Sequence, residues 1–378
     1  MKILIITPSY KPAFVYGGPI FSVAYLAENL SKQNEVLVLS TNANGKDNLV
    51  INTQHPLQMD GVNIRFFKRQ TKDHSHFSIG MLRFLWKHGG DYGVIHIQSW
   101  WNTVAVLTAF ICKIKSWKYI ISPRGMLSPY TIEHSIVKKI IHNLIGNYLL
   151  KNAIIHVTSN DEKQKLDKLN PRYTLIDVPN YVDVNSKSQN VIRSENSDIF
   201  NLLFLSRIHP KKGLEDLFSA LSKVGFNYHL SIVGDGDSNY IEELKLLSRK
   251  LMIENSISWK GALYNDDKIR SYANADVFIL PSKDENFANT VLESLAQGTA
   301  VIVSKNVGLS DFVSDNNLGW VYDGSVNNLE EVLNESKTSP QKLKNIRETS
   351  TSIIESNFSE ANISNRYIAM YNTSLNSH

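Results

Sequence analysis

The sequence predicts an α/β protein with two doubly wound parallel sheets, each in its own domain. Apolar runs of strand length alternate with helical patterns along the whole chain, which is typical of a parallel sheet covered by helices on both faces. A polar stretch rich in Ser, Asn, Lys and Gln, Asn185 to Asp198, divides this alternation into two halves. With 378 residues the chain is long enough for two domains of ordinary size.

The first half contains seven predicted strands. Helical patterns lie between several of these strands. The strands are Ile3–Ile6, Glu35–Leu39, Val62–Phe67, Val94–Gln98, Tyr119–Ser122, Ile154–Thr158 and Thr174–Val178. Gly17 and Gly18 stand at the first strand-to-helix crossing. A glycine pair there lets backbone approach a ligand and leaves a helix N-terminus open to an anion, although a simple turn is the alternative.

The second half contains a strand-loop-helix-strand unit that carries two carboxylates. Strand Val277–Leu280 is followed by an acidic loop with Glu285, then by a helix with Glu293, then by strand Ala300–Ser304. On one continuous helix, residues eight apart would be turned by roughly 80° and separated by about 12 Å. Glu285 precedes the helix, however, so the two carboxylates could hold two hydroxyl-bearing parts of one extended ligand. The alternative is that Glu293 is a solvated helix residue.

Composition narrows the class of protein. Hydrophobic residues make up 42% and charged residues 20%, and no apolar run approaches the roughly 20 residues of a membrane span. The single cysteine, Cys112, excludes an intramolecular disulfide, and a cytoplasmic location is expected. The formal charge of +4 is modest for a nucleic-acid-binding protein; it fits anionic small ligands or an anionic membrane surface.

The carboxylate unit resembles a known signature. Glu285-Asn286-Phe287-Ala288, continued by Glu293 to Val301, is similar to the E-x7-E motif of retaining glycosyltransferases of the GT-B fold, most closely glycosyltransferase family 4. Ala288 stands in place of a usual Gly and Ala300 in place of a usual Pro.

A basic motif strengthens the resemblance. The family pattern G-R-x-x-x-x-K-G falls on Ser206, Arg207, Lys212 and Gly213. Arg207 and Lys212 can stabilise, by charge-assisted hydrogen bonds, the negative charge that grows on a leaving diphosphate. The resemblance implies that Glu285, Arg207 and Lys212 are catalytic. It implies a donor-binding role for Glu293, Asn286, Phe287, Ala288, Asn289, Gly234, Gly236, Leu263, Gly17 and Gly18.

Motifs in the first half resemble the family less specifically. Ile95–Asn102 is similar to I-H-x-H-G-x-W-N, Ile121–Leu127 to S-P-H/R-G-M-L, and Pro179–Asp183 to P-N-G-V-D. The resemblance implies that Arg124, His96 and Trp101 lie on the acceptor or sugar side, with Arg124 where many relatives have His. On its own chemistry, His96 on an apolar strand is better explained as a hydrogen-bonded core histidine.

The resemblance implies two Rossmann-like domains facing a central cleft. Residues 1–184 would form the acceptor-side domain, with a C-terminal helix at about 357–378 packed back on it. Residues 185–200 would form the linker and residues 201–356 the nucleotide-sugar domain.

The implied reaction moves a hexose from a UDP- or GDP-type sugar to a sugar hydroxyl of a glycan or lipid-linked acceptor, with retention. Bacterial surface polysaccharide or lipopolysaccharide assembly is the expected setting. No cofactor and no metal site are expected, because the D-x-D at Asp235 and Asp237 lies in a glycine turn. A sugar-nucleotide epimerase of the same fold and a non-catalytic nucleotide-sugar-binding partner are the alternatives.

A helix is predicted from Ile136 to Lys151, with Ile and Leu on one side and lysines at both ends. Core packing with a solvated face explains this pattern. An interfacial membrane helix also explains it, with peripheral contact at the inner face of the plasma membrane.

Overall fold

The computed structural model describes residues 1–73, 75–133, 136–184 and 198–376. The chain divides into two compact units, residues 1–182 with the helix from residue 360 onwards, and residues 183–359. Of the predicted linker, residues 185–197 lie outside the described residues.

The first unit is built on an eight-stranded sheet. Its strands are β1 (Lys2–Thr7), β2 (Glu35–Thr41), β5 (Leu57–Met59), β6 (Val62–Phe67), β7 (Val94–Gln98), β8 (Tyr119–Ser122), β9 (Ile154–Val157) and β10 (Thr174–Asp177), and a small hairpin pairs β3 (Ala43–Asn44) with β4 (Asp47–Asn48). Its helices are α1 (Gly18–Ser31), α2 (Ile79–His88), α3 (Thr103–Ile114), α4 (Pro129–Glu133), α5 (Ile136–Ile141), α6 (Asn147–Leu150) and α7 (Asn160–Leu169).

The strand order of this sheet is β10-β9-β8-β7-β1-β2-β6-β5. All neighbours are parallel except β5, which pairs antiparallel with β6. The chain winds outward from β1 through β2 and then crosses to β7, so the order reverses between β1 and β7. The central strands are buried throughout, as in β7, because helices cover both faces of a parallel sheet.

The second unit has a six-stranded sheet in which every pair of neighbours is parallel. Its strands are β11 (Phe200–Leu205), β12 (Tyr228–Val233), β13 (Ile257–Gly261), β14 (Val277–Leu280), β15 (Ala300–Ser304) and β16 (Gly319–Tyr322). Its helices are α8 (Leu214–Leu221), α9 (Ser238–Lys250), α10 (Asn265–Asn274), α11 (Asn289–Ala296), α12 (Ser310–Asp315), α13 (Val326–Lys337) and α14 (Pro340–Phe358). The order β13-β12-β11-β14-β15-β16 reverses between β11 and β14.

The last helix, α15 (Glu360–Asn376), belongs to the first unit. The ring of Tyr367 stacks on that of Tyr181 with centroids 5.7 Å apart, and the Tyr371 hydroxyl bonds to His96 Nδ1 at 2.9 Å. Tyr181, which stands where the family pattern has Gly, also bonds to Ser364. These aromatic and hydroxyl contacts hold α15 against the sheet of the first unit.

The predicted fold class is confirmed: both units are α/β with doubly wound parallel sheets. Strand β16 and the short antiparallel β5 were not predicted. The helix predicted from Ile136 to Lys151 contains a π-helical turn, His142–Gly146, between α5 and α6. In the described residues, no helix is both long and apolar enough to span a bilayer.

Candidate functional site

The reversal of strand order in the second unit creates a crevice at the carboxyl edge of its sheet, where open α/β sheets bind ligands. The loops after β11 and β14 flank this switch point. They are tied together by a backbone bond from the Lys283 amide to the Lys211 carbonyl, 2.9 Å. Residues far apart in sequence therefore meet at one edge.

Gly213 explains how closely these two loops approach. It has φ +72°, and a Cβ at this position would lie 2.1 Å from the Pro281 carbonyl oxygen. Only glycine tolerates both the left-handed backbone and this contact. The close approach places Lys212 beside Glu285, and the two side chains form an ion pair. The pair is largely shielded from solvent, since 14% of the Lys212 side chain and 22% of the Glu285 side chain are exposed.

Glu285 is also fixed through its backbone. Its amide donates to the Asn306 carbonyl at 3.0 Å, and the Gly308 amide donates to the Glu285 carbonyl at 2.8 Å. The loop after β15 therefore holds this carboxylate in place. This loop was not predicted, and its signal in the sequence was the position of Gly308 shortly after a strand end.

Glu293 lies one turn inside α11, and both its carboxylate oxygens have partners. Lys268 Nζ approaches Oε1 at 2.7 Å, and the Tyr272 hydroxyl donates to Oε2 at 2.8 Å. Burial, followed by the Glu293 charge, raises the pKa of Tyr272 well above its ordinary value, so the phenol remains a donor. Neither Lys268 nor Tyr272 was predicted; their four-residue spacing on one face of α10 was the available signal.

The remaining cations gather on the loop after β11. Arg207 is exposed, and no carboxylate of the described residues forms an ion pair with it. Lys211 pairs with Asp284 at 2.6 Å. Burial, together with the charges of Arg207, Lys211 and Lys212, lowers the pKa of His209 below its ordinary value, as expected inside a positive cluster.

The helix N-terminus at α11 adds a further attraction for anions. Ala288, its N-cap, has φ +71° and makes no side-chain cap bond. This left-handed backbone accounts for the Gly that the family pattern has there, since a Cβ costs roughly 1–2 kcal/mol in that region. Asn286, Phe287 and Asn289 lie on either side of it, and the Phe287 ring is buried.

The other predicted donor residues of this unit lie at the neighbouring strand ends. Gly234 and Gly236 follow β12, and Leu263 follows β13. Packing requires glycine at positions 234 and 236. A Cβ on Gly234 would lie 1.9 Å from the Ser206 carbonyl oxygen, and a Cβ on Gly236 would lie 2.2 Å from the Ile208 carbonyl oxygen. The four adjacent strands β13, β12, β11 and β14 thus all present predicted residues at one edge.

The described residues hold no group of three or more His, Cys, Asp or Glu side chains that could bind a metal ion. Asp237 of the D-x-D is engaged as the N-cap of α9, accepting from the amides of Asn239 and Tyr240. Arg207, Lys211 and Lys212 are positively charged groups at this edge that could offset the charge of a diphosphate.

In the first unit, Gly17 and Gly18 lie where the connection from β1 enters α1, and β1 is next to that sheet's own reversal point. Gly17 has φ +70°, and a Cβ there would meet nothing within 4 Å. Because the backbone beside this glycine is open, the N-terminus of α1 is accessible to a ligand, as the glycine pair suggested.

His96 is fully buried, with both ring nitrogens bonded. A chain of short bonds runs from the Tyr371 hydroxyl through His96 and Ser122 to His156 and ends at the Val178 carbonyl. Burial lowers the pKa of both histidines, that of His156 to about 3, so both rings are neutral. The structure thus places His96 in the core, which was the alternative interpretation.

Arg124 sits at the carboxyl end of β8 with φ +52°, a strained backbone for a side chain of this size. Its Nε donates to Gln98 Oε1 at 2.9 Å and its Nη1 to Asn180 Oδ1 at 2.6 Å. Among the described residues, its buried Nη2 has no hydrogen-bond partner. The guanidinium is thus held by two neutral amides and retains a donor to offer.

Trp101 lies beside this arginine loop. Its indole nitrogen donates to the Met126 carbonyl at 2.6 Å, and its ring packs edge-on against Trp100 and His142. The side chain therefore braces the segment that carries Arg124.

Two Rossmann-like domains with a charged crevice at a switch point define the architecture of GT-B glycosyltransferases. Residues 186–352 match the family model "Glycosyl transferases group 1". Along 99% of the chain, the structure resembles Anabaena HepE in complex with UDP and glucose, with a TM-score of 0.77, 19% sequence identity and 100% of that chain covered.

Sequence relatives point the same way. An uncharacterized glycosyltransferase of Methanocaldococcus jannaschii is 27% identical over 354 residues, which cover 85% of each chain. A lipopolysaccharide 1,2-N-acetylglucosaminetransferase of Salmonella typhimurium is 28% identical over 181 residues, 44% of this chain and 46% of that one. The match therefore spans less than half the length of this second relative. Together these findings support placement in the glycosyltransferase superfamily.

Proposed function

We propose that this protein is a retaining glycosyltransferase that moves a hexose from a nucleoside-diphosphate sugar to a hydroxyl of a glycan or glycolipid acceptor. The observation that carries the proposal is the switch point of the second unit. There Arg207 and Lys212 stand on one loop and Glu285 on the other, with Glu293 one turn into the next helix. The positive cluster suits a diphosphate, and the two carboxylates suit hydroxyl groups on either side of it.

Each residue then has a distinct role. Arg207 and Lys212 bind the diphosphate and stabilise the charge that grows on its β-phosphate as the bond to the sugar breaks. Glu285 accepts hydrogen bonds from hydroxyls of the transferred sugar, and Glu293, oriented by Lys268 and Tyr272, accepts them from the ribose. The amides at the start of α11 add donors at the same edge.

The reaction we propose needs no protein nucleophile. The bond from the anomeric carbon to the β-phosphate oxygen breaks, and the acceptor hydroxyl forms its bond on the same face. The departing phosphate oxygen takes the acceptor's proton. Arg207 and Lys212 supply two positive charges, comparable with one divalent cation, so we propose that transfer proceeds without a metal.

The first unit would receive the acceptor, with the open backbone at Gly17 and Gly18 and the guanidinium of Arg124 as its contacts. A lipopolysaccharide or other surface glycan is the acceptor class we favour, and the Salmonella relative supports that choice. We also propose a cytoplasmic location, which agrees with the single buried thiol of Cys112.

The test begins with a thermal-shift screen of UDP- and GDP-sugars, followed by transfer assays in excess EDTA with product anomers assigned by NMR coupling constants. A retained product formed in EDTA is the expected result. Activity that EDTA abolishes and manganese restores would overturn the metal-independent reaction, and an inverted product would overturn the retaining one.

The same assays separate the two alternative functions. An epimerase would convert the nucleotide sugar with no acceptor present, whereas a binding partner would bind it without turnover. The family model and the relatives favour neither alternative.

A further inference from the structure

An unusual share of exposed apolar surface is concentrated on one part of the first unit. Residues 79–90, 103–118 and 136–152, 45 residues of the 378, run through α2, α3 and the α5–α6 stretch. They hold nine of the twenty large apolar side chains that are exposed among the described residues: Ile79, Trp86, Phe110, Ile114, Ile140, Ile141, Leu144, Ile145 and Tyr148. We call this set, with those basic residues of the same segments whose side chains the structure describes, the apolar–basic face.

The charged side chains of the apolar–basic face are basic, with no acidic residue among them. The three segments contain eight Lys or Arg residues and no Asp or Glu, although the whole chain carries 40 basic and 36 acidic residues. At the chain's average frequency, 45 residues would include about four acidic ones. The basic residues with described side chains are Arg83, Lys87, Lys113, Lys115, Lys118, Lys139 and Lys151, and the eighth, Lys138, has a side chain outside the described ones.

The three segments form one continuous surface. Lys115 Nζ lies over the Trp86 ring, 4.1 Å from its centroid, and so joins α3 to α2. Lys113 Nζ lies 5.5 Å from the centroid of Tyr148 and 2.7 Å from Asn152 Oδ1, and so joins α3 to α6. Lysines thus lie among the exposed aromatic rings.

The α5–α6 stretch presents its apolar residues on one side. Ile141, Leu144, Ile145 and Tyr148 recur at the i, i+3, i+4, i+7 spacing of a helical face. All four are exposed, with Leu144 at 73%, whereas Leu149 and Leu150 are buried. Core packing therefore accounts for the inner side of this stretch, whereas the side that carries Leu144 and Ile145 is exposed.

Exposed apolar patches of this extent mark interaction surfaces. A second copy of the chain is a poor occupant, because joining two such faces would bring fourteen described cations together with no acid of these segments to offset them. An anionic bilayer satisfies both halves of the surface: the apolar side chains enter the acyl boundary, and the lysines reach the headgroups. We propose that the apolar–basic face docks this protein on an anionic lipid bilayer.

The test is co-sedimentation with vesicles of phosphatidylcholine, with and without phosphatidylglycerol. We expect binding to the mixed vesicles at least about tenfold tighter than to pure phosphatidylcholine, since each cation near an anionic surface contributes roughly fivefold. Binding should fall sharply as the ionic strength rises from about 0.1 M to about 1 M, because the screening length shortens from about 10 Å to about 3 Å. Equal binding to both kinds of vesicle would overturn the proposal.

Two variants and a matched control locate the surface. Leu144→Ser with Ile145→Ser should weaken binding to mixed vesicles by about tenfold or more, and Lys113→Gln with Lys115→Gln by a similar factor. The control is Leu246→Ser with Met252→Ser, two exposed apolar residues of the second unit, at 59% and 87%. It should bind as the wild type does.

Circular dichroism and melting temperature establish that each variant is folded. Wild-type binding by the folded Leu144→Ser, Ile145→Ser variant would overturn the proposal. A lipid-free dimer that this variant abolishes, seen by sedimentation, would also overturn it and assign the face to a second copy. UDP affinity, measured in parallel, should be the same in all variants, so this result does not depend on the proposed function.

Discussion

Replacing Lys212 by Met tests the candidate site most directly, because an equivalent lysine stands beside it. Lys212 pairs with Glu285, and Lys211, the preceding residue of the same loop, pairs with Asp284 at 2.6 Å. Both pairs are shielded from solvent to a similar degree. The exposed side-chain fractions are 14% for Lys212 and 22% for Glu285, against 30% for Lys211 and 11% for Asp284. Only Lys212 falls on the basic motif, so Lys211→Met serves as the control for charge and for loop stability.

The expected losses follow from the contacts. A lost charge-assisted hydrogen bond to a diphosphate costs about 1.5–3 kcal/mol, which weakens UDP or GDP binding roughly 10- to 150-fold. Turnover should fall by about 10²-fold or more, since the charge is largest in the transition state.

Stability should respond similarly in both variants. Each leaves a partly buried carboxylate without its cation, which costs about 1–3 kcal/mol, between the values for exposed and fully buried pairs. In a unit of this size that lowers the melting temperature by roughly 2–12 °C.

Isothermal titration with UDP and GDP, in the presence of EDTA, and initial-rate transfer assays compare the two variants. Lys211→Met should lose stability but keep its nucleotide affinity and turnover within a few-fold of wild type. Equal losses of turnover in both folded variants would refute the assignment of Lys212 and leave only a general effect of loop charge.

Three further outcomes are expected. Gly213→Ala should lower the melting temperature well below that of Gly261→Ala, because both have positive φ but only the former would place a Cβ against Pro281; equal shifts would contradict the steric argument. Burial lowers the pKa of His156 to about 3, so below about pH 6.5 the unfolded chain binds a proton that the folded chain does not. The free energy of unfolding therefore decreases as the pH falls below about 6.5, by up to about 1.4 kcal/mol per pH unit. The measurement is the free energy of unfolding in urea at about pH 7 and pH 5. From about pH 7 to about pH 5 it should fall less in His156→Gln than in wild type, and an equal fall in both proteins would contradict this. Arg124→Ala should reduce transfer by about tenfold or more at unchanged UDP affinity, and wild-type transfer in the folded variant would remove Arg124 from the acceptor side.

The sequence predicted the strands and the edge at which the site lies because both depend on local signals. The apolar run at Val277–Leu280 and its break at Pro281 predict a buried strand that ends where Glu285 begins. Once the sheet is parallel, the loops after β11 and β14 must emerge at the same edge. The positions of Arg207 and Glu285 relative to the sheet were therefore predictable.

The partners of these residues were not predictable, because they depend on packing between distant segments. The pair of Lys268 and Tyr272 with Glu293 joins two helices that precede and follow β14. The π-helical turn at His142–Gly146 was likewise not predicted, since the spacing of the apolar residues indicated only a helix with one apolar side. The hydrogen bond that holds His96 in the core also comes from a distant partner, Tyr371, 275 residues later.

The ion pair between Lys212 and Glu285 explains how one crevice can hold both carboxylates and a diphosphate. At an effective dielectric constant of about 20, two like charges roughly 10 Å apart repel by about 1–2 kcal/mol, and the repulsion doubles as that distance halves. An unpaired carboxylate at this edge would therefore weaken the binding of the ligand whose hydroxyls it recognises. Lys212 offsets the charge of Glu285 before any ligand arrives, and Lys268 does the same for Glu293. Because Lys212 has three donors, it can contact a phosphate oxygen while keeping Glu285 in place. The carboxylate is then held in position by its partner and by the backbone bonds to the loop after β15, so little further ordering is needed when a sugar binds.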